Sequence, residues 1–333
     1  NLVDASDSGS STDNITNKTL PTFNGTYGVV GDRIQVFKDL DNDGVIDSGE
    51  LLGTGIVAAD HSWSVTPTVA MTAGTYNIKA VAVDLAGAVS EASEALTITI
   101  DTSAAAPTGL DLASGSDSGV SDSDNLTSDT TPTITGTAEA GATVTLYDGA
   151  TQVGTTTAHG TTGAWSITSN ALTTQGVHNL TAKQTDIAGN SSVASAVLAV
   201  TIDTVNPAAP TALDLVVASD TGFSTTDNNT SDDTPTITGT AEAGATVRLY
   251  EGDTLLGSAT AGATGAWSIT SEALTTQGVH NLTATQTDKA GNTSVASTAL
   301  AVTLDTIADA APAAPNLVDA SDSGSSTDNI TNK

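Results

Sequence analysis

The chain contains no cysteine, so no disulfide framework can staple it and no thiolate is present to act as a nucleophile. A secreted domain of ordinary size folds without disulfides, so an extracellular site stays open. Aromatic residues make up 3% of the chain, which leaves little material for an exposed aromatic or apolar recognition patch. Lys and Arg number 8 against 38 Asp and Glu, a net charge of −30. That balance excludes the basic surfaces that nucleic acids and anionic membranes require. No run of 18 apolar residues occurs, so no segment reads as a membrane-inserted helix. The four histidines, His61, His159, His178 and His280, have no HExxH spacing. GxSxG, Walker and dinucleotide-binding glycine patterns are absent too, and the chain does not read as an enzyme. His178 and His280 recur in VHNL and are expected at strand edges.

What is present is a repeat. TPTITGTAEAGATVT at Thr131 returns as TPTITGTAEAGATVR at Thr234, 103 residues on, and in degenerate form as LPTFNGTYGVVGDRIQ at Leu20. Each copy continues to a tryptophan (Trp63, Trp165, Trp267) and an Asp-x-Ala-Gly turn (Asp84, Asp186, Asp288). Each then ends on a strand-like run closing in Asp-Thr, with Asp101, Asp203 and Asp305 spaced 102 residues apart. A fixed period of this fidelity means one folding unit copied in tandem. The boundaries fall at 1–102, 103–204 and 205–306. Residues 307–333 form a linker and the start of a next repeat, because 316–333 repeats 1–18 letter for letter. No signal peptide is visible, as expected for a slice of a longer array, and the final 18 residues are expected to be poorly ordered without the rest of their domain.

About 100 residues per unit is enough for a sandwich-sized core. In the middle copy, Leu110 and Leu112 alternate with polar neighbours. So do Ile134, Val144 and Leu146, Trp165 and Ile167, Leu180 and Ala182, and Leu198, Val200 and Ile202. Asp148-Gly149 is a hairpin signal, and SDSGVSDSDNLTSD, residues 116–129, reads as a polar loop. No helical period appears. The pattern predicts an all-β chain: three tandem seven-stranded immunoglobulin-like β-sandwich domains in an elongated array. Each tryptophan reads as a core anchor in a sandwich that lacks a disulfide.

The acids recur at fixed places in turns, which favours cation binding over diffuse solubilising charge. With seven antiparallel strands, the first loop and the end of the last strand share the lower pole of a unit. The AEAGA and Asp-x-Ala-Gly turns share the upper pole. Asp7, Asp13 and Asp101 of the first copy are then expected to approach Glu139 and Asp186 of the second. Asp117, Asp124 and Asp203 are expected to approach Glu242 and Asp288 of the third. Asp84 and Asp305 count with them as repeat equivalents. Like charges at a seam repel unless a cation sits between them, and hard oxygen ligands suit Ca2+. An Asp-x-Ala-Gly turn alone would also be explained by backbone preference.

The first copy carries an insertion. Between Phe37 and Gly53 lie 15 residues, where the equivalent Tyr147 and Gly154 enclose 6. Within residues 38–51, Asp39, Asp41, Asp43, Gly44, Asp47 and Glu50 fit the calcium-loop pattern D-x-D-x-[DN]-G-x5-E, with Glu50 twelfth. The flanks are strand-like, so this is expected to be a calcium loop on a β-hairpin that stiffens locally and does not sense.

TPTITGTAEAGATVTLYDG, GAWSITS, VHNLTAKQTDIAGN and LAVTIDT together resemble the bacterial Ig-like repeats of large secreted adhesins, namely biofilm-associated proteins and the extender regions of RTX-type adhesins. The resemblance covers all three copies, and the inserted loop is the departure from it. It implies type I secretion, an extracellular place at a Gram-negative cell surface, and Ca2+ at domain junctions. It also implies a stalk whose partners are its neighbouring repeats, any surface ligand being bound by another part of the full protein. A module that itself recognises glycan or a host protein is the alternative. Binding to a glycan array would favour it.

Overall fold

A computed structural model describes residues 2–315. The reading of 316–333 as the poorly ordered start of a further repeat falls outside the described residues. Strands and turns make up the described chain, and among the described residues no helix is long and apolar enough to cross a membrane. The described chain divides into two compact units, residues 2–206 with 287–292, and residues 207–286 with 293–315.

The first repeat has strands β1 (Ile15–Thr16), β2 (Phe23–Thr26), β3 (Arg33–Lys38), β4 (Leu51–Ile56), β5 (Ser62–Val65), β6 (Gly74–Val83) and β7 (Leu96–Ile100). The second has β8 (Thr108–Leu112), β9 (Leu126–Thr127), β10 (Thr133–Thr137), β11 (Thr143–Asp148), β12 (Thr151–Thr157), β13 (Ala164–Thr168), β14 (Gly176–Thr185) and β15 (Leu198–Ile202). The third repeats that plan as β16 (Thr211–Leu215), β17 (Asn229–Thr230), β18 (Thr236–Thr240), β19 (Thr246–Glu251), β20 (Thr254–Thr260), β21 (Ala266–Thr270), β22 (Gly278–Thr287) and β23 (Leu300–Leu304).

Each later repeat pairs a three-stranded sheet with a five-stranded one. In the second repeat the orders are β13-β10-β8 and β12-β11-β14-β15-β9. Alternation explains the core: along β10 and β13, Ile134 faces Ile167, while Gly136 faces Trp165. Val144, Leu146, Leu180, Ala182 and Val200 of the five-stranded sheet are fully buried and join Ile134 and Trp165 of the three-stranded sheet in one cluster. Burial of β-branched and aromatic side chains between two sheets is the main favourable term for such a unit. Glycine is required opposite the indole, because a Cβ on Gly136 would stand 2.4 Å from the Trp165 ring. The tryptophan anchors are buried in the second and third repeats, while Trp63 of the first is only partly buried.

Two expectations are corrected. The second and third repeats have eight strands each, because the 116–129 loop contains a two-residue strand. β9 runs parallel to β15, with Asn125 O accepting from Thr201 N and Thr127 O from Asp203 N. A two-residue strand is too short for alternation to mark it. Asn125 takes φ +57°, as do its counterparts Asn14 and Asn228 at +58° and +57°, a conformation asparagine tolerates better than most residues. The histidines are not at edges: His178 and His280 sit on β14 and β22, inside the five-stranded sheets, and are buried. His178 Nδ1 lies 2.7 Å from Asp148 Oδ2, and His280 Nδ1 lies 2.7 Å from Glu251 Oε1. Burial pulls the imidazole of His178 down, but the Thr174 carbonyl and the Asp148 carboxylate outweigh it and hold it above its ordinary value.

Candidate metal centres and the seam between repeats

In the second repeat, β11 and β12 are joined through Gly149 and Ala150. In the first repeat, residues 39–50 occupy that place between β3 and β4. Gly44 has φ +78° and Asn42 φ +62°, so the chain turns sharply between acidic positions. One ligand oxygen from each of Asp39, Asp41 and Asp43 lies within 4.8 Å of the others. Asp39 is 4% exposed and Glu50 3% exposed. The Glu50 carboxylate closes the loop, accepting Leu40 N at 2.9 Å and Asp47 N at 3.0 Å. Asp41 and Asp43 are exposed and cap short turns, with Val45 N 2.7 Å from Asp43 Oδ1. Partial desolvation by the surrounding loop raises the Asp41 carboxyl from its ordinary value, and its neighbours Asp43, Glu50 and Asp47 push it the same way. Hard oxygens gathered against their own repulsion are the donor set a divalent cation uses. Asp47 contributes backbone contacts and an exposed side chain.

A second acidic element recurs in the first loop of every repeat. Asp7, Asp117 and Asp220 are buried. One oxygen of each accepts a backbone N–H, from Asn14, Asn125 and Asn228 at 3.3, 3.2 and 3.3 Å. The other oxygen of each is buried and accepts no hydrogen bond. Buried polar atoms are satisfied in the great majority of cases, so an orphaned carboxylate oxygen in the same place three times points to a cationic partner. Burial pushes the Asp7 carboxyl up, with Asp13 and Asp4 adding repulsion; Asp117 is raised the same way, by burial and then by Asp124 and Asp122.

These loops also make the seam. Ser8, next to Asp7, donates its hydroxyl to Ala188 O at 2.6 Å, and Ser118 donates to Ala290 O at 2.7 Å. Asn190 Nδ2 donates to Asp101 O, and Asn292 Nδ2 to Asp203 O, both at 2.9 Å. Within the second repeat, Gln184 fixes the segment that leads in from the first, donating to Ala105 O and accepting from Glu139 N, each at 2.7 Å. Glu139 Oε1 accepts Ala105 N at 2.7 Å. Gly9 (φ +81°) and Gly119 (φ +109°) permit this approach, since a Cβ at either would stand 2.0 Å from the carbonyl oxygen of Ile187 or Lys289. The first repeat has Ala82 and Ala88 at the positions of Gln184 and Asn190.

The loops expected to meet at the seam do meet there, but neutral side chains and backbone make most of the contact. Most of the acids assigned to the seam cap a local turn. Asp13 and Asp124 accept Ile15 N and Leu126 N. Asp101, Asp203 and Asp305 accept Ser103 N, Val205 N and Ile307 N. Asp84 accepts Ala86 N and Ala88 N. Asp186 and Asp288 each hold the backbone N–H and side-chain amide of their own Asn190 or Asn292. Glu242 donates its backbone N–H to Gln286 Oε1 at 2.7 Å. Among the described residues Asp39, Asp41 and Asp43 are the one group of three with oxygens within 4.8 Å. Asp220, Ser8, Ser118, Gln184 and Lys79 (2.7 Å from Asp39 Oδ2) escaped sequence reasoning. A copy-by-copy alignment of the first loop would have found Asp220.

A family model described as bacterial Ig-like domain matches residues 1–102, 103–204 and 206–306. The chain belongs to the bacterial Ig-like domain family. These Ig-like repeats are 32% identical over 260 residues to exoglucanase B of Cellulomonas fimi, in a match taking in 75% of this chain and 22% of that protein. The chain therefore spans about a fifth of that relative's length. Among solved structures, the Ig-like chain is similar to a Ca2+-stabilized adhesin that helps an Antarctic bacterium reach out and bind ice (24% identity, 90% of this chain, 73% of that one, TM-score 0.36). It is also similar to a structure bearing on host cell surface retention of a 1.5-MDa bacterial ice-binding adhesin (21% identity, 90% and 96%, TM-score 0.33). A third is a biofilm-associated protein domain (13% identity, 87% and 64%, TM-score 0.23).

Proposed function

We propose that these Ig-like repeats are an extender segment of a bacterial surface adhesin, stiffened by Ca2+ and serving cell adhesion or biofilm formation. The role is structural, not catalytic. The observation that carries it is the buried, unpartnered oxygen of Asp7 and of Asp117, each one residue from the serine hydroxyl that crosses a seam. A cation held on that oxygen neutralises a carboxylate that burial otherwise penalises. It thereby fixes the loop against the Asp-x-Ala-Gly turn it touches. Oxygens from Asp13 and Asp124 in the same loops, and from Asp101, Asp203, Glu139, Asp186 and their repeat equivalents, are the candidates to complete its shell. The 39–50 loop is a separate calcium site that rigidifies one hairpin.

Sites of this class in extracellular modules bind at about 10⁻⁴ to 10⁻³ M, matched to external calcium. Binding then adds to folding free energy outside the cell and not within it. This fits the export by type I secretion and cell-surface location that the adhesin resemblance implies. The partners are neighbouring repeats, and any surface ligand is bound elsewhere in the full protein. Small-angle scattering of the chain in millimolar Ca2+ and in chelator tests the reading. The expected result is a narrow distribution of interdomain distances with calcium and a broad one without. Identical curves would overturn it.

A further inference from the structure

The inserted loop has a cation of its own. Lys79 lies on β6 directly opposite Phe37 of β3, and its Nζ is 2.7 Å from Asp39 Oδ2. The Asp39 side chain is 0% exposed and that of Lys79 16%. The ammonium sits beneath the loop: a Cβ on Gly44, the turn residue, would lie 4.0 Å from it. The second repeat has Thr181 at the matching position, opposite Tyr147. The third has Thr283 in the matching VHNLTATQT. Both of those repeats have the short hairpin. Lysine and acidic loop therefore occur together in one repeat and are absent together from the other two. The other oxygen of Asp39 is buried and meets no donor in good hydrogen-bond geometry, the Asn42 and Gly44 N–H groups lying near the carboxylate. Asp39 can thus offer one oxygen to an ion while the other faces Lys79.

We propose that Lys79 is a built-in counter-cation that holds Asp39 in place when no divalent ion is bound and sets the calcium threshold of the loop by repelling the incoming ion. The inference rests on the reading of residues 39–50 as a calcium site. A buried carboxylate with no partner would turn out to solvent or take up a proton, so the lysine preserves the first ligand in metal-free protein. The same positive charge, within a few ångströms of the ion, weakens its binding. A loop held this way is already folded when calcium arrives and fills only where calcium is abundant.

The test is calorimetric titration of the full chain with CaCl2, with Glu50→Gln subtracted to isolate this loop, alongside thermal unfolding in chelator and in calcium. Lys79→Met keeps the stem and removes the charge. It should bind calcium at this loop about tenfold more tightly or better, unfold earlier than the parent in chelator, and match it in calcium. Lys79→Arg, which keeps the charge, should restore the parent's affinity and its chelator stability. Unchanged or weaker calcium binding in Lys79→Met overturns the lysine's role. A parent chain whose titration is identical to that of Glu50→Gln overturns the calcium-loop reading itself.

Discussion

Glu50→Gln is expected to weaken calcium binding at the 39–50 loop on the order of 10- to 100-fold, because affinity in such loops follows ligand charge and the twelfth-position carboxylate supplies two oxygens. The loss should be largely confined to the calcium-loaded protein. Glu50 is buried and its two oxygens accept Leu40 N and Asp47 N. Glutamine keeps one acceptor and turns an amide N–H₂ toward the other donor, a mismatch costing about 1–3 kcal/mol. Thermal unfolding should therefore show a modest shift in chelator and a larger one in calcium. Equal shifts in both would mean that Glu50 is only a hairpin clasp.

Gly9→Val is expected to open the seam between the first two repeats while leaving both folded. A side chain at φ +81° costs about 1–2 kcal/mol. Its Cβ would also stand 2.0 Å from Ile187 O, a backbone atom with no rotamer to relieve the clash. Against this stand the hydrogen bonds of Ser8 to Ala188 O and Asn190 to Asp101 O, each worth about 0.5–1.5 kcal/mol net. The repeat core is far larger than either sum, so the seam is what yields. The distribution of distances between the first two repeats, read by scattering, should broaden, while hydrogen exchange in β10 and β14 stays slow. Accelerated exchange throughout a repeat would mean that the glycine serves its own domain and not the seam.

Much of this was legible in the residues. Ile134, Leu146 and Leu180 alternate with threonines and are fully buried. Asp148-Gly149 does turn a hairpin, with Gly149 at φ +57°. The acid spacing from Asp39 to Glu50 does produce a tight loop. Sorting loops by pole put the first loop of one repeat against the Asp-x-Ala-Gly turn of the next, which is where Ser8 and Ala188 meet. What stayed hidden has common physical causes. Ser8 and Ser118 are neutral polar residues in a chain full of them, and only three-dimensional placement separates a seam contact from a solvated side chain. Lys79 and Asp39 lie 40 residues apart and meet only because β3 pairs with β6. His178 shows no charged neighbour in sequence, since Asp148 reaches it across β11 and β14. The charge pattern pointed to the acids as the seam's contact residues, yet most of them cap their own turns. The buried oxygens of Asp7, Asp117 and Asp220 are the part of that pattern the turns leave unsatisfied.

Anomalous diffraction from crystals grown in calcium tests the central claim most directly. Peaks beside Asp7 Oδ1 and Asp117 Oδ1, and within the Asp39–Glu50 loop, are the predicted result. A map with no peak at Asp7 or Asp117, in crystals where the 39–50 loop is filled, would contradict it and leave the seams to hydrogen bonds alone.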